Sequence, residues 1–187
     1  MRASTVLLLA IATFPAFSQS PGPYTNKLAP YVASPARVVD LMLEMAKIKP
    51  GETVYDLGSG DGRIVIAAAG KYKAKAVGVE ISPKLVASTT AEIERAGLST
   101  DARVMQGDVL QTDFTGADVV TMYLETKLNA ELRPRLEKFL KPGARVVSHD
   151  YPVPGWKPTR VETVEGRVMH TIYLYEIQPH EIRPAKK

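Results

Sequence analysis

Val54-Tyr55-Asp56-Leu57-Gly58-Ser59-Gly60-Asp61-Gly62 is the stretch on which the reading of this chain turns. Its first half belongs to Thr53 to Leu57, which reads as a short buried strand. Its second half carries glycine at alternating positions, Gly58, Gly60 and Gly62, where the backbone can take positive φ and approach a ligand closely. Arg63 to Ala69 then reads as a helix closed by Gly70, with free N–H groups in its first turn. In an open α/β sheet, ligands bind beyond the carboxyl ends of the strands, so this strand–loop–helix junction is a candidate site.

The alternation continues on both sides. Upstream, Ser34-Pro35 reads as a cap followed by proline at the first helical position. Val38, Leu41, Met42 and Met45 then mark one helical face, and Lys49-Pro50-Gly51 ends it. Downstream, Ala74 to Glu80 is a second strand, Ser82-Pro83 opens a helix, and Gly97 closes it. Arg103 to Gln106 and Asp118 to Leu124 read as third and fourth strands. Leu132, Leu136 and Leu140 mark a helix with Pro134 in its first turn, and Ala144 to Ser148 is a fifth strand. Arg160–Val164 and Val168–Ile177 flank Gly166 as a hairpin. The expected fold is α/β and Rossmann-like: a mostly parallel twisted sheet, helices on both faces, and a C-terminal antiparallel hairpin.

Composition bounds the rest. The 187 residues are 45% hydrophobic and 24% charged, which excludes a disordered, collagen-like or multi-span membrane chain. There is no cysteine, so disulfides, thiolate zinc sites and a cysteine nucleophile are excluded. The net charge of +4 is spread along the chain and argues little for nucleic acid. At the N-terminus, Arg2, the apolar run Val6 to Phe14, and small residues Ala16 and Ser18 form a secretory signal pattern. The expected organisation is a leader over 1–18, a linker over 19–27, one domain over 28–178 and a basic tail over 179–187. A secreted or periplasmic protein is expected, with an uncleaved membrane anchor as the alternative.

The glycine loop invites a dinucleotide reading, but position 63, where that fingerprint needs its third glycine, is Arg63. The loop is also acidic, with Asp56 and Asp61 flanking it, and would repel a pyrophosphate while attracting an ammonium and a sulfonium. S-adenosylmethionine carries both groups. Glu80, ending the second strand, can accept from ribose hydroxyls. Asp108, ending the third, can accept from the adenine amino group, with the Val109 N–H near a ring nitrogen. No metal-ligand pattern is visible.

Asp56 to Gly62, with Glu80 and Gly107-Asp108, resembles the class I S-adenosylmethionine-dependent methyltransferases over roughly residues 28–178. Within that group the chain is similar to small bacterial methyltransferases related to the mitochondrial lysine methyltransferases of ATP synthase c subunit and adenine nucleotide translocase. Tyr31-Val32-Ala33-Ser34, Pro142 to Val147 and Pro154-Gly155-Trp156-Lys157-Pro158 carry that narrower likeness. The resemblance implies that Asp56 and the loop Gly58, Ser59, Gly60, Asp61 and Gly62 hold the methionine end of the cofactor. It implies that Glu80 with Ile81 binds ribose, that Asp108 with Val109 binds adenine, and that the lead-in at Tyr31 closes over the cofactor. The implied acceptor is a protein lysine, membrane proteins included. Where the mitochondrial relatives have a proline-containing turn, this chain reads Tyr123-Leu124-Glu125-Thr126.

Tyr123 and Glu125, at the end of the fourth strand, are the expected catalytic residues, orienting the amine and attracting its cationic form. His149-Asp150 borders the same end of the sheet and reads as a structural pair; Trp156 reads as packing on the sheet edge. A nucleic-acid amino-methyltransferase would carry Asn or Asp, two prolines and an aromatic residue after strand four, so no nucleic-acid partner is expected. The alternatives are an exported S-adenosylmethionine-binding protein without turnover and a dinucleotide-dependent oxidoreductase.

Overall fold

The computed structural model describes residues 32–179. The leader, the linker, Tyr31, His180 and all but the first residue of the expected tail lie outside that span. In chain order the elements are α1 (Ala36–Met45), β1 (Thr53–Leu57), α2 (Arg63–Tyr72), β2 (Lys75–Glu80), α3 (Pro83–Arg95), β3 (Ala102–Gln106), β4 (Val119–Met122), α4 (Thr126–Phe139), β5 (Arg145–His149), β6 (Arg160–Glu165) and β7 (Met169–Glu176). They form one seven-stranded sheet in the order β3-β2-β1-β4-β5-β7-β6. The first five strands are parallel, and β7 runs antiparallel to both β5 and β6. Among the described residues no helix is long and apolar enough to cross a membrane.

Alternation along the strands builds two cores. Val54, Ala76, Val119 and Val147 pack with α1 and α2, and with Ile93 of α3, on one face. Tyr55, Val77, Val120 and Val146 pack with Leu128, Leu132 and Leu136 of α4 on the other. The period of two therefore decides which side each strand residue serves. Successive strands also reverse direction of travel at β1, where β2 and β4 lie on either side, which is the crevice of an open α/β sheet.

Three local expectations are corrected. Pro35, not Ser34, occupies the cap of α1, and its carbonyl accepts from the Val38 and Val39 N–H groups. Ser34 is drawn away because its hydroxyl hydrogen-bonds His149 Nδ1 at 2.9 Å. Gly70 does not close α2; the helix runs to Tyr72, and Lys73 takes the left-handed conformation at φ 57°. Pro134 lies inside α4 rather than in its first turn, because the helix extends back to Thr126 and buries Leu128 on the stripe shared with Leu132 and Leu136. The hairpin adds two strands, with its second strand inserted next to β5. β7 carries buried Ile172, Leu174 and Tyr175, whereas β6, with Arg160, Glu162 and Glu165, is suited to an edge.

Candidate active site

The carboxyl ends of β1 to β4 surround a cavity of about 150 Å³. Its wall includes Ala33 and Ser34 of the lead-in, Asp56, the loop Gly58 to Asp61, Glu80, Ile81, Asp108, Val109, Tyr123, Leu124 and Leu128. The three acids expected to meet at one site do meet there.

The loop is held by its own backbone. Gly58 and Ser59 N–H both donate to the Val79 carbonyl, at 2.9 and 3.0 Å, which ties β1's exit to β2. Gly58, Gly60 and Gly62 all have positive φ. At Gly58 a Cβ would come within 2.9 Å of Leu124 Cδ2, so glycine is required by both conformation and space.

Each carboxylate has a different environment. Asp56 is 3% exposed, and its Oδ1 accepts from Thr121 Oγ1 at 2.7 Å. Burial pushes its carboxyl up to about 7, against the Thr121 hydrogen bond and with the charges of Glu80 and Asp61 adding to the rise. Glu80 accepts from the Gly60 N–H through Oε2 at 2.9 Å and from the Ser82 N–H through Oε1 at 2.8 Å. Asp108 Oδ1 accepts from the Leu110 N–H at 2.8 Å. Asp61 is ion-paired with Arg63, whose Nη1 also donates to the Ser34 carbonyl at 2.6 Å. The acidity read from the loop is therefore partly neutralised at Asp61, and Asp56 keeps only a hydroxyl partner.

Ser59 is 6% exposed, and its Oγ makes no hydrogen bond inside the protein. The buried, unpaired Asp56 carboxyl and the orphaned Ser59 hydroxyl suit a cationic amino-acid group. Glu80's further lone pairs and the half-buried Asp108 suit hydroxyl and amino donors. The residues present fit S-adenosylmethionine.

Of the two expected catalytic residues, one reaches the cavity. The Tyr123 ring stacks on His149 with centroids 3.8 Å apart, and its hydroxyl donates to Asp150 Oδ2 at 3.3 Å. Burial, followed by the Asp150 charge, pushes the phenol up to about 12. Glu125 is exposed in the cap position of α4, its carbonyl accepting from the Asn129 N–H, and it is not in the cavity wall. It begins a helix, a common place for an acid. Trp156 packs against Tyr175 with centroids 5.5 Å apart and donates to Glu137, as an edge residue does.

The pair His149-Asp150 is legible in the sequence, but its partner His170 is not. His149 Nε2 and His170 Nδ1 lie 2.9 Å apart, with Asp150 Oδ2 close to both. His149 and Asp150 are adjacent in the chain, and His170, 21 residues on, meets them through the β5–β7 pairing. His149 is fully buried, and burial pushes its imidazole down to about 4. Burial acts to raise Asp150, but the Thr171 N–H and the imidazoles hold it below the ordinary carboxylate range.

A model of the ANTKMT methyltransferase domain matches residues 56–160, which takes in the end of β1, the loop, all three acids and β2 to β5. The chain belongs to this methyltransferase family. It is a class I, S-adenosylmethionine-dependent methyltransferase. A protein-lysine N-methyltransferase of Saccharolobus islandicus is 48% identical over 154 residues, covering 81% of this chain and 96% of that protein. The mouse adenine nucleotide translocase lysine N-methyltransferase is 34% identical over 79% of this chain, which spans 63% of the mouse protein's length. An RNA methyltransferase of Salinibacter ruber, solved in complex with S-adenosyl-L-homocysteine, is 42% identical. It covers 83% of this chain and 98% of its own, with a TM-score of 0.75. The dinucleotide alternative also fails on topology, since the order 3-2-1-4-5-6 of dinucleotide folds has no antiparallel strand inserted beside β5.

Proposed function

We propose that this methyltransferase transfers a methyl group to a lysine amine of a protein substrate. The observation that carries the site is the isolation of Asp56. Among the described acids of the cavity wall, Glu80 and Asp108 accept from backbone N–H groups and Asp61 pairs with Arg63. Asp56 receives only the Thr121 hydroxyl, so a ligand cation completes it. In this reading Asp56 and Ser59 hold the methionine end with the Gly58–Gly62 backbone. Glu80 and Ile81 hold ribose, and Asp108 and Val109 hold adenine. Tyr31 and the neighbouring lead-in cover the cofactor.

S-adenosylmethionine supplies an electrophilic methyl group on a sulfonium, so the protein's work is orientation and a dry site. A lysine must be neutral to accept that methyl; at a reference value of about 10.4, roughly 0.04% is neutral at pH 7. Tyr123 stays protonated and donates to Asp150, which leaves its oxygen lone pairs to accept from the amine and orient it. Desolvation of the amine in the cavity favours the neutral form. Glu125 has no place in this step, since it is not in the cavity wall.

The Saccharolobus and mouse relatives, named for protein-lysine methylation, support the lysine reading. The translocase in the mouse protein's name makes a membrane protein a candidate acceptor. The Salinibacter relative, described as an RNA methyltransferase, supports a second reading, RNA. The missing Asn/Asp-Pro-Pro-aromatic motif at Met122-Tyr123-Leu124-Glu125 and the mild charge favour protein. The test is incubation with methyl-labelled cofactor and either membrane protein extract or total RNA. Label in protein, recovered as methyl-lysine, is expected; label released only by ribonuclease overturns the lysine reading. The leader Val6 to Phe14 supports export, and N-terminal sequencing is expected to begin at Gln19; a chain retained in membranes from Met1 indicates an anchor instead.

A further inference from the structure

His149, Asp150 and His170 lie outside the cavity wall, behind Tyr123, whose hydroxyl donates to the same Asp150 Oδ2 at 3.3 Å, so Asp150 enters the methyl transfer derived above only by positioning Tyr123. Their three potential ligand atoms form a nearly equilateral triangle. His149 Nε2 is 2.9 Å from His170 Nδ1, His170 Nδ1 is 3.0 Å from Asp150 Oδ2, and His149 Nε2 is 3.2 Å from Asp150 Oδ2. We propose that these residues bind a divalent transition-metal ion of the zinc class.

Each edge has an ordinary hydrogen-bond length, so what singles out an ion is the use of all three corners at once. A proton lies between two atoms and serves at most two edges of such a triangle. An ion above the triangle bonds to all three corners. With Zn–N and Zn–O distances of about 2.0–2.2 Å, the corners of a tetrahedral site lie about 3.3 Å apart. The observed edges reach that by opening a few tenths of an ångström. Two imidazoles and one carboxylate suit zinc and its neighbours better than calcium or magnesium, which prefer oxygen ligands throughout.

The surroundings have the form of a metal site's supporting shell. His149 Nδ1 hydrogen-bonds Ser34 Oγ at 2.9 Å; when it donates there, Nε2 is left as the ligating lone pair. The other oxygen of Asp150, Oδ1, accepts from the Thr171 N–H at 2.8 Å, which fixes the carboxylate plane. Asp150 holds this position at φ 58°, a left-handed conformation that is uncommon outside glycine. His170 and Asp150 are less buried than His149, so their side gives an ion access and leaves a fourth position for water. The ion joins β5 to β7 and, through Ser34, anchors the lead-in that walls the cofactor cavity.

The test uses the tag-free full chain, dialysed against a chelator and titrated with Zn²⁺ by calorimetry. Zinc content is measured after gel filtration, and Co²⁺ absorbance in the visible reads the coordination geometry. One ion per chain is expected. His170→Gln and Asp150→Asn are each expected to weaken Zn²⁺ binding by more than about 100-fold, and Ser34→Ala by about 10–100-fold. Asn tolerates the left-handed backbone at position 150, so Asp150→Asn remains informative if His170→Gln fails to fold. A folded wild-type chain, judged by circular dichroism, that takes up neither Zn²⁺ nor Co²⁺ overturns the proposal. So does a wild-type affinity retained by both His170→Gln and Asp150→Asn.

Discussion

Replacing Asp56 by Asn separates what the cofactor site costs from what it provides. The carboxyl ordinarily titrates near 3.8, and burial pushes it up to about 7 in the folded chain. An acid harder to ionise when folded makes the native state retain a proton that the unfolded chain releases. Its contribution is therefore fully favourable below about pH 4, declines as pH rises towards 7, and stays lost above. At about 1.4 kcal/mol per pH unit, the loss is about 2 kcal/mol at pH 5 and about 4 kcal/mol at pH 8. Asn has nearly the same shape, carries no charge, and its Oδ1 accepts from Thr121 as Asp56 does. Asp56→Asn is expected to stabilise the ligand-free protein by at most those amounts, more at pH 8 than at pH 5, while losing S-adenosylhomocysteine binding. Urea unfolding at the two pH values reads the first effect as a shifted midpoint at unchanged slope, and calorimetric titration reads the second. A variant no more stable than wild type at pH 8, or one that binds the ligand as tightly, refutes the reasoning.

Other predictions concern the same cavity. Wild-type affinity for S-adenosylhomocysteine should rise about 50-fold between pH 5 and 7 and level about twofold higher above pH 8, because binding requires the Asp56 carboxylate; titrations in buffers of different ionisation heat should show proton release below pH 7. Glu80→Ala should weaken that ligand by about 1.5–3 kcal/mol, measured by calorimetry; unchanged affinity in a folded variant removes Glu80 from the site. Tyr123→Phe should lower kcat by about 100-fold with cofactor affinity nearly unchanged, since only the orientation of the acceptor is lost. Gly62→Ala should destabilise the fold by about 2–4 kcal/mol in chemical denaturation, because φ is 74° and the new Cβ would lie 2.2 Å from the buried Thr89 Cγ2.

Much of this architecture is legible because strands and loops are written locally. Thr53 to Leu57 carries Val54, Tyr55 and Leu57 around the single acid Asp56 and is a strand at those bounds. The alternating glycines announce a backbone that must turn tightly. Asp56, Glu80 and Asp108 can be placed together because each lies at or near the end of a successive strand, and parallel strands side by side bring their ends together. Features that depend on a partner distant in sequence are less visible. Ser34 looks like a cap until His149 claims its hydroxyl. Pro134 looks like a helix start because Leu128 alone, one stripe position earlier, extends the helix past it. Glu125 adjoins Tyr123 in sequence, but the turn into α4 carries it out of the cavity wall. His149 and His170 carry no ligand spacing, and only the antiparallel β5–β7 register, which pairs His149 with Ile172, brings His170 diagonally beside it.

The acids of the cavity differ in one respect that orders the events of binding. Glu80 and Asp108 are already met by backbone N–H groups, so they are prepared before any ligand arrives. Asp56 is not, and with its carboxyl pushed up to about 7 it is close to half protonated at neutral pH. A ligand that offers hydroxyl and amino donors but no cation meets Glu80 and Asp108 without drawing the proton from Asp56. A ligand with an ammonium at the methionine end draws that proton off and gains a buried, charge-assisted partner. The proposed binding mode therefore places selectivity for an amino-acid-bearing nucleoside over adenosine at Asp56. Adenosine should bind with little dependence on pH between 5 and 7, while S-adenosylhomocysteine gains steadily across the same interval. Parallel pH slopes for the two ligands, measured by calorimetry on the same protein, would place the cationic group elsewhere in the cavity.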